Sequence, residues 1–210
     1  MSGCCEPRVY ERMFGANQAR RDARRYRSRG LGGTSRDLVE LAGDVSGASI
    51  LEVGGGIGAI EIELLSAGAE RATDVELSGE YEDEAQKLLA ERGLSDRVER
   101  RLGDFVAEPV DAHDVVVMHR VVCCYPDVDG LVGVAAAHSR RRLLLTFPQE
   151  RWYTRAGVRV INLFMRLSGS DFRVFVHPLT RINAAAREHG LTLGERRRRG
   201  IVWESAAYER

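Results

Sequence analysis

The sequence has almost no lysine. Lys87 is the only one, so nearly all of its 31 basic residues are arginine, a bias that GC-rich coding produces by itself. It also lacks net charge, because 31 acidic residues cancel the bases. That balance gives no general electrostatic reason to expect a nucleic-acid or membrane partner. No apolar run approaches the roughly 18 residues a membrane span requires. The opening Met1-Ser2-Gly3 carries no apolar stretch of the kind that starts a secretory signal. Cysteine is scarce: four residues, in two adjacent pairs, Cys4-Cys5 and Cys123-Cys124. Adjacent cysteines rarely bond each other, so a cytoplasmic protein with reduced thiols is expected. Four converging thiolates would suit a soft metal. Their spacing is not that of zinc sites, and no metal is expected. With five prolines, no repeat and no low-complexity linker, 210 residues fit one α/β domain with a small appendage.

Against these absences stands a regular alternation. Residues Tyr10 to Arg29 place sparse apolar positions at helical spacing, predicting one charged helix. Gly30, Gly32 and Gly33 end it, and Thr34 is placed to cap a short helix through Leu41. Strands are then predicted at Ile50–Val53, Arg71–Glu76, Val98–Leu102, Val115–Met118 and Leu143–Phe147, separated by helices at Ile57–Ala67, Gly79–Glu91 and Asp129–Ala137. Short apolar strands alternating with helices argue for a parallel sheet covered on both faces. The last third departs from alternation. Trp152–Leu167 and Leu179–His189 read as helices, and two strands around Gly200 read as a closing antiparallel hairpin. The expected organisation is a helical cap over 1–33 and a ligand-binding domain over 34–210, with a lid inserted at 148–178.

The chemistry-bearing motif is Glu52-Val53-Gly54-Gly55-Gly56-Ile57-Gly58, directly after a strand and before a helix. Glycine permits positive φ and lets the backbone approach a ligand where a Cβ would clash. The helix that follows offers unpaired N–H groups. Glu76 closes the next strand, at the distance where an acid pairs with a ribose diol. The other reading of Glu76 is a cap on the following helix. After the third strand come Asp104 and Phe105, an acid and an aromatic suited to an adenine ring, or an ordinary turn. A nicotinamide-binding domain would space its glycines G-x-G-x-x-G. Here position 59 is alanine.

In this order, at the ends of successive strands, these elements resemble the class I S-adenosylmethionine-dependent methyltransferases. The resemblance runs from about Thr34 to the C-terminus. It implies a Rossmann-like fold with a mostly parallel seven-stranded sheet and a C-terminal antiparallel hairpin, plus the N-terminal helical cap. S-adenosylmethionine would be the methyl donor. By that analogy Glu52 lies near the methionine amino end, Glu76 on the ribose and Asp104 on the adenine. Gly54, Gly55, Gly56, Gly58, Leu77, Phe105 and His119 would complete the cofactor site. The layout is also similar to the magnesium-protoporphyrin O-methyltransferases, through Tyr26-Arg27-Ser28-Arg29-Gly30-Leu31, through Thr146-Phe147-Pro148, and through Phe172-Arg173 near His177-Pro178.

Methyl transfer asks mainly for positioning and exclusion of water. A base is required only where the acceptor must lose a proton. His119, at the carboxyl end of the fourth strand, is either that base or a residue that orients the loop and packs the cofactor. Tyr125 is the second catalytic candidate. Tyr26, Arg120, Cys124, Trp152 and His177 are candidates for the acceptor side. Arg120 reads either as a carboxylate partner or as a surface arginine. The expected function is methyl transfer to a small-molecule acceptor by in-line displacement, in a monomer or homodimer. Alternatives are an RNA methyltransferase clamping with the Arg20–Arg29 helix, or a non-catalytic protein binding S-adenosylmethionine or a metal through its cysteines.

Overall fold

The computed structural model describes residues 7–107 and 110–210. Cys4 and Cys5, and with them the expected convergence of the two cysteine pairs, lie outside the described residues. The elements in chain order are α1 (Pro7–Met13), α2 (Ala16–Arg29), α3 (Thr34–Ala42), β1 (Ser49–Val53), α4 (Ala59–Ser66), β2 (Arg71–Glu76), α5 (Glu82–Arg92), β3 (Val98–Leu102), β4 (His113–His119), α6 (Val128–Ala137), β5 (Ser139–Pro148), α7 (Trp152–Leu167), α8 (Leu179–Glu188), β6 (Thr192–Arg199) and β7 (Trp203–Glu209).

Seven strands form one sheet in the order β3-β2-β1-β4-β5-β7-β6. The first five are parallel. β7 inserts antiparallel between β5 and β6. The apolar run of β4 explains why both faces must be covered. Its side chains alternate, as a strand requires: Val115 and Val117 enter a core with α2, α3, α4 and α5, while Val116 and Met118 enter another with α6 and α8. The order reverses between β1 and β4. A cleft therefore opens at their carboxyl ends, where open α/β sheets gather ligands.

The predicted single helix over Tyr10–Arg29 is two helices. Gly15 is extended, with φ −87° and ψ 174°. The break has partners: the Phe14 carbonyl accepts from Ser78 Oγ at 3.0 Å, and the Ala16 N–H donates to Glu80 Oε2 at 3.0 Å. A tertiary contact has taken the groups a continuous helix would have used. Thr34 is the first residue of α3 rather than its cap, since Gly33 precedes it without a side-chain bond. Helices predicted from Ile57 and Gly79 begin later, because the glycine loop and a short 3-10 turn occupy those positions.

The arginine run at the end of β6 is structural. Arg196 and Arg198 reach the buried Glu204. Arg197 pairs with Glu40, and Arg199 grips the fully buried Asp37 through two nitrogens at 2.7 and 2.9 Å. Alternate arginines thus serve opposite faces of the strand: Arg196 and Arg198 tie β6 to β7, while Arg197 and Arg199 clamp the hairpin to α3. No described helix is long and apolar enough to cross a membrane.

Candidate active site

The glycine turn is built by positive φ at Gly54 (67°), Gly56 (59°) and Gly58 (72°). Space forbids side chains as well. A Cβ on Gly54 would stand 2.7 Å from Val121 Cγ2, and one on Gly56 would stand 3.3 Å from the Tyr81 ring. Gly58 backs the loop without facing the cavity; its Cβ would meet Glu61.

Acids hold the turn from beneath. The Gly55 N–H donates to Asp74 Oδ1 at 3.1 Å, and the Gly56 N–H to Glu76 Oε2 at 2.9 Å. Glu76 Oε1 also accepts from the N–H groups of Leu77 and Ser78. Three of the roughly four acceptor positions of a carboxylate are thus in use, which leaves about one for a ligand hydroxyl. Glu52 is buried and accepts from the Glu61 N–H at 2.8 Å. Burial, then the Asp74 charge, pushes the Glu52 carboxyl well above the usual range. Asp74 is raised to about 7, mainly by burial and against the pull of Arg100.

Arg100 is the residue the sequence reading missed. It sits in β3 with its side chain only 3% exposed. Its Nη1 lies 2.5 Å from Asp74 Oδ2 and 3.4 Å from Glu61 Oε1, and its Nε lies 2.9 Å from Glu82 Oε2. Its Nη2 donates to the Gly56 carbonyl at 2.9 Å. Nothing in the strand pattern Val98-Glu99-Arg100-Arg101-Leu102 singles it out from its neighbour.

One cavity of about 630 Å³ opens above this turn. That volume lies in the roughly 300–1,000 Å³ range of small-molecule sites. Tyr26, Glu52, Gly54, Gly55, Gly56, Glu76, Leu77, Asp104, Phe105, His119, Arg120, Cys124 and Tyr125 all line it. Asp104 Oδ1 accepts from the Val106 N–H at 3.1 Å, fixing the turn that carries the buried Phe105. The cavity also takes Tyr10, Phe14, Gln18, Asp22 and Arg25 from α1, α2 and the break between them, and Tyr81 from the turn before α5. This segment is the expected cap, with Tyr26 on the acceptor side; the polar cavity residues Gln18, Asp22 and Arg25 were not anticipated, because they belong to the polar positions of the helical pattern.

His119 is held rather than poised. Its Nε2 lies 2.9 Å from Thr34 Oγ1, which ties β4 to α3. Burial first, then the neighbouring Arg120 charge, lowers its pKa to about 4. The ring is therefore neutral at physiological pH and only weakly basic. Arg120 has φ 61°, the single positive value outside glycine among the described residues, and its guanidinium lies 4.5 Å above the Trp203 ring. The Tyr26 hydroxyl donates to Glu63 Oε1 at 2.7 Å, and burial foremost raises its pKa, keeping it protonated. The Cys123 and Cys124 sulfurs lie 3.7 Å apart.

Two predicted acceptor-side residues lie elsewhere. Trp152 is 80% exposed at the start of α7 and does not reach the cavity. His177 sits in a smaller cavity of about 270 Å³, its Nε2 2.9 Å from the Tyr125 carbonyl. It anchors the segment before α8 to the loop after β4. That same segment supplies Phe172, which meets Tyr10 and Phe14 edge-on at 5.5 and 5.7 Å and so closes the cavity's cover.

This architecture matches solved structures closely. Over 84% of its length the chain superposes on 81% of magnesium protoporphyrin IX methyltransferase from Synechocystis with bound S-adenosylhomocysteine, with TM-score 0.68 and 20% identity. An O-methyltransferase family protein from Burkholderia thailandensis gives TM-score 0.67 at 20% identity, over 84% of this chain and 56% of that one. Geranyl diphosphate C-methyltransferase from Streptomyces coelicolor, solved with its diphosphate substrate, Mg2+ and S-adenosylhomocysteine, gives 0.67 at 14% identity, over 84% and 76%. The chain has the class I methyltransferase fold. No family model matches it, and no curated protein matches it in sequence.

Proposed function

We propose that the protein is an S-adenosylmethionine-dependent methyltransferase acting on a small-molecule acceptor. The observation that carries this reading is the convergence of Glu52, Glu76 and Asp104, from the ends of three neighbouring strands, on one wall of the cavity that opens above the glycine turn. Such a set of hydrogen-bond acceptors suits a cationic ligand that also carries hydroxyls and an adenine. Glu76 retains about one acceptor position for a ribose hydroxyl, Glu52 faces the methionine end, and Asp104 with Phe105 frames the base. The donor would supply a methyl group already activated on a sulfonium.

The chain's own residues would then orient and enclose. The glycine turn brings backbone to the ligand, and Arg100 with Asp74 keeps that turn rigid. Tyr10, Phe14 and Phe172 exclude water from the acceptor side. His119, uncharged, serves as a hydrogen-bonding and packing group rather than a strong base. Tyr125, Arg120 and Cys124 border the space left for the acceptor.

Calorimetric titration with S-adenosylhomocysteine tests this. Micromolar binding is expected, abolished by Gly56→Arg and strongly weakened by Glu76→Ala. Absence of heat with both S-adenosylhomocysteine and S-adenosylmethionine would end the proposal.

A further inference from the structure

The neutral total charge hides a local asymmetry on α7. Between residues 151 and 170 the sequence has no acid, and it carries Arg151, Arg155, Arg159 and Arg166. At 100° per residue, Arg155, Arg159 and Arg166 fall within one narrow stripe. Trp152, Val160, Leu163, Phe164 and Leu167 spread across the adjoining face. That apolar face is turned outward: these five residues are 80%, 52%, 55%, 67% and 74% exposed. The opposite edge holds the helix to the protein. Thr154 is its one buried residue, and the Asn162 side chain bonds the Val174 backbone in both directions, at 2.8 and 2.9 Å. Arg155 pairs with Glu150, whereas Arg159 and Arg166 form no ion pair among the described residues.

We infer that α7 is an interfacial helix that lies on an anionic phospholipid bilayer. A surface helix of a globular protein normally turns its apolar face to the core. Contiguous apolar surface on the outside, bordered by unneutralised cations and opened by a tryptophan, is the pattern of helices that rest in the headgroup region. The arginine stripe supplies the charge complementarity, and the whole-chain balance that argued against a membrane partner does not apply to this element. Docking there would act near the cavity. α7 is bonded to the segment carrying Phe172, and Phe172 packs on Tyr10 and Phe14, which line the cavity. An apolar acceptor dissolved in the bilayer would then be delivered beside the cover.

Vesicle flotation tests the inference with the full chain and without any methyl donor, so its outcome is independent of the proposed catalytic role. Vesicles of phosphatidylcholine with phosphatidylglycerol should carry the protein, and pure phosphatidylcholine should carry far less. Each arginine near an anionic surface is worth about fivefold in partitioning. The double variant Arg159→Ala/Arg166→Ala should therefore lose about 30-fold. Phe164→Ala/Leu167→Ala should lose more than about tenfold. These side chains are exposed, so circular dichroism melting of each variant should match the parent. No flotation with anionic vesicles overturns the inference. So does equal binding to both vesicle types. A concentration-dependent dimer abolished by Phe164→Ala/Leu167→Ala, without vesicle binding, would also overturn it and assign the face to a second copy of the chain.

Discussion

Arg100 Nη2 donates to the carbonyl of Gly56 at 2.9 Å, so a strand-β3 guanidinium fixes the backbone of a turn that follows β1. The same guanidinium meets Asp74, and Asp74 accepts from the Gly55 N–H. One cation therefore holds two successive residues of the turn, directly and through a carboxylate. Replacing it by leucine strands Asp74 and Glu61 in the interior. Arg100→Leu should cost about 3–5 kcal/mol, the range for breaking a buried pair, read as a lowered urea midpoint. Arg100→Lys should retain part of the stability. Its single ammonium cannot span the partners a planar fork reaches, so S-adenosylhomocysteine affinity should remain impaired.

Gly54 tests whether steric space or backbone dihedral governs the turn. A methyl at this position meets Val121 Cγ2 at 2.7 Å, and the φ of 67° disfavours any L side chain. The dihedral alone costs about 1–2 kcal/mol. Gly54→Ala should weaken S-adenosylhomocysteine binding at least about tenfold by calorimetry, given both costs. Adding Val121→Ala removes the contact and leaves the dihedral, so it should restore binding only partly. Full restoration would show that φ is immaterial here.

What the sequence disclosed and what it withheld divide along one physical line. The seven strands, the closing hairpin and the glycine turn were legible, because short apolar runs bounded by turn residues and clustered glycines are local signals. That Glu52, Glu76 and Asp104 would border one cavity was legible because they sit at fixed places relative to strand ends. Arg100 was not, since its importance arises from three carboxylates and a carbonyl distant in sequence. The break at Gly15 was hidden for the same reason: Ser78 and Glu80 make it. Trp152 and His177 were assigned to the cavity because they lie in the right segment, but only packing decides which side of that segment faces inward.

His119 yields a pH prediction whose sign follows from its environment. Its folded pKa of about 4 lies below the ordinary imidazole value of 6.5, with burial as the leading cause. The unfolded chain therefore binds more protons between those values, and stability is lost as the pH falls below 6.5. At pH 5 the loss from this residue is about 1–2 kcal/mol. His119→Asn removes the titration. Comparing melting of parent and variant at pH 7 and pH 5, the variant should gain on the parent by that amount on acidification. A constant difference would mean His119 titrates normally and is open to act as a base.

Phe172 and Trp152 make a paired prediction about what covers the cavity. Both lie in the segment expected to form a lid, yet Phe172 is buried against Tyr10 and Phe14 while Trp152 is 80% exposed. Truncating a buried phenylalanine costs about 3–5 kcal/mol where the site cannot collapse. Here the loss should be local, because the cover is tied down by few bonds, among them Phe175 N–H to the Cys123 carbonyl and the Asn162–Val174 pair. Phe172→Ala should therefore raise amide hydrogen exchange in α1 and at Val174 and Phe175, and leave Val115 to Met118 protected. Trp152→Ala should change neither region. If Trp152→Ala exposed α1 and Phe172→Ala did not, the cover would rest on α7 rather than on the aromatic contact, and the acceptor side of the cavity would have to be redrawn around that helix.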